Sequence, residues 1–146
     1  MKKVMLDSNV VFSGLLYAGK PSEIPGLLRK RKLKLVMPVD ELDEIRSVFG
    51  RRVSYKEYVI DIFLKIVKPE IISDKKYCRL IPDASKLVRD KKDIPILACA
   101  LAVKPEFFVT GDKDFHAKEV KRAINVITPA EFLKKIKPSR EDSELF

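Results

Sequence analysis

Short apolar runs that break directly into aspartate constrain this chain more than any other feature. Val4-Met5-Leu6 runs into Asp7-Ser8-Asn9, and Phe107-Phe108-Val109-Thr110-Gly111 turns into Asp112-Lys113-Asp114. Residues 33–37 and 124–127 form two more runs of the same kind, and Ile71-Ile72 a shorter one. A strand with one wet face alternates apolar and polar residues, whereas a strand buried on both faces reads as a continuous apolar run. Helical patterns separate these runs, so the expected class is α/β: a short, mostly parallel sheet with helices on both faces, in three layers.

The helices are expected at about residues 10–17, 23–30, 38–49, 56–67, 84–88, 93–103 and 130–136. Gly19 and Pro21 break the first. Pro38 opens the third, which sets Leu42, Ile45, Val48 and Phe49 on one face. In the fourth, Tyr58, Val59, Ile62, Phe63 and Ile66 form the expected inner stripe, with Tyr58 in the core. "DIPILACALAV", residues 93–103, is apolar on nearly every face and should be the most buried helix. The stretch 68–92 shows little periodicity. One domain over residues 1–137 is expected, followed by a frayed or disordered acidic tail, 138–146.

The chain has 146 residues and a formal charge of +9. The tail sets one arginine against three acids, so the body concentrates that charge to +11. A field of this sign favours polyanionic partners, nucleic acid first and an anionic membrane surface second. Cys78 and Cys99 have no metal-type or redox spacing, which fits a reducing, cytoplasmic setting, with Cys99 as a small core residue. No apolar run is long enough to span a bilayer, and no membrane association is expected.

Against this basic background the acids are placed selectively. In a parallel sheet every strand's carboxyl end lies along one edge, where ligands bind. Asp7, Asp112 and Asp114 follow strands and belong to that edge. Asp93 opens a helix that runs antiparallel to the next strand, so it belongs there too, as do Asp40, Glu41 and Glu44 at the start of the Pro38 helix. Each could cap a helix, but one cap suffices where both Asp112 and Asp114 stand. Carboxylates packed without a cation repel and raise one another's pKa. A hard divalent cation, Mg²⁺ or Mn²⁺, removes the conflict and serves phosphodiester chemistry. The clusters at residues 29–34, Arg51-Arg52 and Lys134-Lys135 read singly as solvated faces and together as a surface for RNA. His116, the one histidine, reads as a loop residue.

Four stretches in order carry a resemblance: "VMLDSNVVFSGLL", "PVDELDEIRSVFGR", "KDIPILACALA" and "FFVTGDKDF", with "INVITPAEFL" beyond. Over about residues 3–136 the chain resembles the PIN-domain ribonucleases, and among them the VapC-like toxins of prokaryotic toxin–antitoxin systems. The resemblance implies a PIN-like fold and a Mg²⁺- or Mn²⁺-dependent endoribonuclease acting on single-stranded RNA. It implies Asp7, Glu44, Asp93 and Asp112 as catalytic acids. Asp7, Asp93, Asp112 and Asp114 would be the metal ligands, and Ser8, Asn9 and Thr110 would support them. Helical phase favours Glu41 over Glu44, because Glu41 lies nearer the apolar stripe, and Glu41 is kept in reserve. A homodimer and an antitoxin partner are implied as well. The alternative is a catalytically silent RNA- or partner-binding module that keeps the acids as caps. Other phosphate-handling α/β enzymes fit less well, since Asn9 stands where a phospho-aspartate enzyme carries its second aspartate.

Overall fold

The computed structural model describes residues 2–16 and 24–136. The expected tail lies outside the described residues, as do Tyr17, Gly19, Pro21 and Glu23. Five strands form one sheet: β1 Lys3–Leu6, β2 Lys34–Pro38, β3 Glu70–Ile72, β4 Phe107–Val109 and β5 Val126–Ile127, in the order β3-β2-β1-β4-β5. Every pairing is parallel, and the register sets Leu6 beside Val109 and Phe108 beside Val126. The helices are α1 Ser8–Leu16, α2 Ile24–Lys30, α3 Val39–Arg52, α4 Glu57–Val67, α5 Ile81–Ser85, α6 Asp93–Val103, α7 Lys118–Ala123 and α8 Pro129–Ile136.

Strand periodicity divides the core in two. Successive side chains point to opposite faces, so Val4, Leu6, Leu35, Met37 and Val109 join α1, α2, α3, α4 and α8. Met5, Val36 and Phe108 join α5, α6 and α7 on the other face. Aromatic contacts tie both layers: Phe12 stacks on Phe49 at 5.9 Å, and Phe115 meets Phe108 edge-on at 5.0 Å. In α6, residues 96–100 are all buried, Cys99 with them, as its uniform apolarity requires. Burial pushes the Cys99 thiol up to about 12, so it is an inert core group.

The α4 stripe needs correction. Ile60 and Phe63 are the buried residues of this helix, while Tyr58, Ile62 and Ile66 are exposed at 61%, 48% and 45%. The segment "EYVIDIFLKIV" is apolar on two faces, so its period cannot select the inner one. Packing against α2 and α3 selects it. Tyr58 is therefore a surface residue rather than a core one. The short helix expected at 84–88 is also shifted, to Ile81–Ser85, where Pro82 occupies a first-turn position.

Candidate functional site

The strand order reverses between β1 and β4, and the crevice outside their carboxyl ends is the natural ligand position of such a sheet. β1 delivers Asp7 there and β4 delivers the turn from Thr110 to Asp114. The Asp7 amide donates to the Val109 carbonyl at 2.9 Å, which extends the β1–β4 ladder one residue past the strands. Asp7 is thereby fixed to the rigid sheet rather than to a loop.

A chain of hydrogen bonds orders the acids. The hydroxyl of Thr110, wholly buried, donates to Asp7 Oδ2 at 2.9 Å. Thr110 Oγ1 itself accepts from the Asp112 amide at 3.0 Å. Asp112 Oδ1 in turn accepts from the Asp114 amide at 2.9 Å and caps the 3-10 turn Lys113–His116. Ser8 Oγ stands 3.4 Å from Asp7 Oδ1, a long and weak contact. His116 Nε2 lies 2.7 Å from the Thr110 carbonyl. This contact holds the histidine against the loop backbone, and among the described residues no hydrogen bond links its ring to the acids.

Asp93 enters at the first residue of α6, and it meets the β4 turn closely. One carboxylate oxygen from each of Asp93, Asp112 and Asp114 lies within 4.8 Å of the others. Asp114 is the exposed member, and Asp93 and Asp112 are half-buried. The Asp93 carboxyl is pushed up to about 7 by burial first, then by the negative charges of Asp90, Asp112, Asp7 and Asp114. Asp7 is raised by burial, against the lowering effect of the Thr110 hydroxyl. These are the electrostatics of a cluster short of positive charge. Hard oxygen donors at this spacing fit an Mg²⁺ or Mn²⁺ ion.

The two glutamates of α3 separate clearly. Glu41 is 1% exposed, and neither of its oxygens has a hydrogen-bond partner among the described residues. Burial, then Asp7 and Glu44, raise its pKa well above the ordinary value. Glu44, one turn later, is half-buried. Burial and Asp7 raise it, while Lys92 and the Ser8 hydroxyl pull it down. Glu44 thus borders the open cleft and Glu41 lies beneath it. Asn9 is exposed, and no hydrogen bond links its side chain to the acids among the described residues.

Two neighbours of the site had no clear sequence signal. Asp90 perturbs both Asp93 and Glu44. Lys92, with Arg51, lines a shallow cleft of about 240 Å³ beside Glu44 and Asp40. Both Asp90 and Lys92 sit in the aperiodic stretch just before α6, where only the charge run "RDKKD" could have drawn attention. Asp40, in the wall of the same cleft, is held by the Tyr77 hydroxyl, which donates to its Oδ2 at 2.9 Å.

Fold and site together define an α/β protein whose sheet opens at its carboxyl edge into an acidic crevice. The PIN domain model matches residues 3–114, and the chain belongs to that family. Among solved structures, a chain of VapBC2 from Rickettsia felis, crystallised with a DNA fragment from the promoter, matches with a TM-score of 0.63 at 21% identity. The match covers 86% of this chain and 98% of that one. A chain of FitAcB from Neisseria gonorrhoeae gives 0.64 at 17% identity, over 87% and 98%. One of DNA-bound VapBC from Salmonella typhimurium gives 0.62 at 15%, over 88% and 99%. These structures share the fold. Among curated proteins none matches the chain.

Proposed function

We propose that this protein is an endoribonuclease dependent on Mg²⁺ or Mn²⁺, cutting single-stranded RNA as the toxin of a cytoplasmic toxin–antitoxin pair. The observation that carries this reading is the meeting of Asp93, Asp112 and Asp114 within 4.8 Å, beside a buried Asp7 on the adjacent strand. Asp7, Asp93, Asp112 and Asp114 are the residues that would hold the cation. Bound there, a divalent ion supplies charge stabilisation for a phosphoryl oxygen and lowers the pKa of water.

The chain's own residues do the rest. Thr110 locks the Asp7 carboxylate in one orientation and ties it to Asp112. Glu44 borders the cleft, and burial raises its pKa, which makes its carboxylate a better proton acceptor. Lys92 and Arg51 line the cleft beside it and are placed to hold the phosphodiester backbone. An antitoxin segment covering this crevice and a second copy of the chain complete the set of partners. The fold shared with chains of VapBC complexes supports the antitoxin.

The test is Asp7→Asn, which keeps size and shape but removes the charge. Cleavage of single-stranded RNA should be abolished while circular dichroism and thermal stability stay native. Full metal-dependent cleavage by a folded Asp7→Asn protein would overturn the mechanism. Calorimetry with Mn²⁺ separates the enzyme from a silent module, which would bind RNA and show no binding of Mg²⁺ or Mn²⁺.

A further inference from the structure

A second concave surface lies at the opposite edge of the sheet. The C-terminal ends of α2 and α4 and the start of β2 enclose a groove of about 430 Å³. Its walls carry Arg29, Lys32, Lys34, Lys65 and Lys68, with no acid among the lining residues. Helices preceding parallel strands end at the sheet's amino edge, so this groove is about one strand length, roughly 15 Å, from the acidic crevice.

Lysines at helix C-termini have an ordinary purpose, since they offset the negative end of the helix dipole. Lys34 Nζ does this, donating to the Lys68 carbonyl at 2.6 Å. Each helix end, however, counts for only about half a negative charge. Two helix ends therefore leave most of the five positive charges uncompensated. None of the five forms an ion pair with a carboxylate among the described residues. Lys32 and Lys68 also hold the left-handed backbone conformation, φ 54° and 49°, which favours glycine. Lys104, outside the groove at the end of α6, does the same with φ 51°, so this conformation belongs to helix ends in general.

The groove is continuous with the exposed stripe of α4. Ile66 lines it, and Ile62 and Tyr58 follow at four-residue intervals on the same face, all exposed, with Tyr55 73% exposed beyond. A basic groove leading onto exposed aromatic faces is the combination that holds single-stranded nucleic acid: cations track the backbone and rings stack on bases.

We propose that this groove binds the phosphodiester backbone of single-stranded RNA at a contact separate from the acidic crevice. Arg29, Lys32, Lys34, Lys65 and Lys68 hold phosphates, and Tyr58 with Tyr55 stacks on the bases that follow. The groove thus anchors a strand whose cleavage, on the reading above, takes place at the far edge. Binding at the groove needs neither metal nor Asp7, so it is measurable even if that reading fails.

The experiment is fluorescence anisotropy of a labelled oligouridylate 20-mer in EDTA, with salt varied. The groove variant combines Arg29→Gln, Lys32→Asn and Lys65→Gln, asparagine being chosen because it tolerates the left-handed conformation. The control combines Lys118→Gln, Lys121→Gln and Arg122→Gln on α7, with the same net charge. The groove variant should bind tenfold or more weaker than the wild type. Its plot of log affinity against log salt should flatten by about 2, or roughly 0.7 per lost phosphate contact. The control should stay within about threefold of the wild type. Tyr58→Ala should weaken binding without changing the salt slope, which a merely structural role for Tyr58 would not do. Equal losses in groove variant and control would overturn the proposal, because the attraction would then be diffuse. A wild type that fails to bind the 20-mer would overturn it too and leave the groove to an acidic protein partner. So would a groove variant that, with a 20-base-pair RNA duplex as second probe, loses affinity for the duplex and keeps it for the 20-mer.

Discussion

Asp93 gives the sharpest test of the electrostatics. Its carboxyl rises from an ordinary 3.8 to about 7 because it is partly buried and faces four other acids. The folded protein then keeps a proton that the unfolded chain gives up. The resulting stability is fully present below about pH 4 and is lost as pH rises through about 7. A shift of this size corresponds to roughly 4 kcal/mol at most. The carboxylate edge is open to water, and screening reduces this to about 1–2 kcal/mol. Asp93→Asn removes the titration. In EDTA, the wild type should lose about 1–2 kcal/mol more than Asp93→Asn between pH 5 and pH 8, seen as about 3–6 °C in Tm. Urea denaturation at four pH values, with a parallel thermal series, measures the difference. Mn²⁺ at pH 8 should restore much of the wild-type stability and little of the variant's, since a bound cation replaces the proton. Parallel pH profiles for the two proteins would refute the assignment of a strained, cation-seeking cluster around Asp93.

Other outcomes follow from single contacts. Glu41→Met replaces a buried carboxyl without hydrogen-bond partners among the described residues by an apolar group of similar size. It should stabilise the metal-free protein at pH 7 by about 1–3 kcal/mol, measured by urea denaturation; a loss of stability would show that Glu41 has a favourable partner. Thr110→Val is isosteric but removes the hydroxyl shared by Asp7 and Asp112. It should cost about 1–3 kcal/mol and weaken Mn²⁺ binding in calorimetry, and unchanged Mn²⁺ affinity would mean Asp7 needs no such restraint. Phe49→Ala empties a wholly buried site stacked on Phe12 and should cost about 3–5 kcal/mol, with the loss visible in the urea midpoint.

Much of this arrangement is legible in the linear sequence, for a definite reason. Strands buried on both faces must be continuously apolar, and an apolar strand that ends on aspartate must place it at the carboxyl edge. Val4-Met5-Leu6-Asp7 and Phe107-Phe108-Val109 followed by Asp112 therefore announced the parallel sheet and its acidic edge together. The uniform apolarity of residues 93–103 announced a central helix, and with it the position of Asp93. These inferences depend on local pattern and on the one handedness and polarity that parallel sheets allow.

What the sequence left open depends on which of several equivalent surfaces a neighbour covers. Apolar residues cover two faces of α4, so only its packing on α2 and α3 decided that Ile60 and Phe63 go inside while Tyr58, Ile62 and Ile66 stay out. Glu41 and Glu44 lie one turn apart on one helix; helical phase set Glu41 nearer the apolar stripe, but only the packing of α3 buried it completely and left Glu44 at the cleft. Asp90 and Lys92 come from a stretch without periodicity and reach the site because α6 begins there. The sequence by itself determined which edge of the sheet is acidic, because strand polarity is a property of the chain. The tertiary structure decided which acids touch and which lysines gather at the other edge, because those distances arise between segments the chain brings together only on folding.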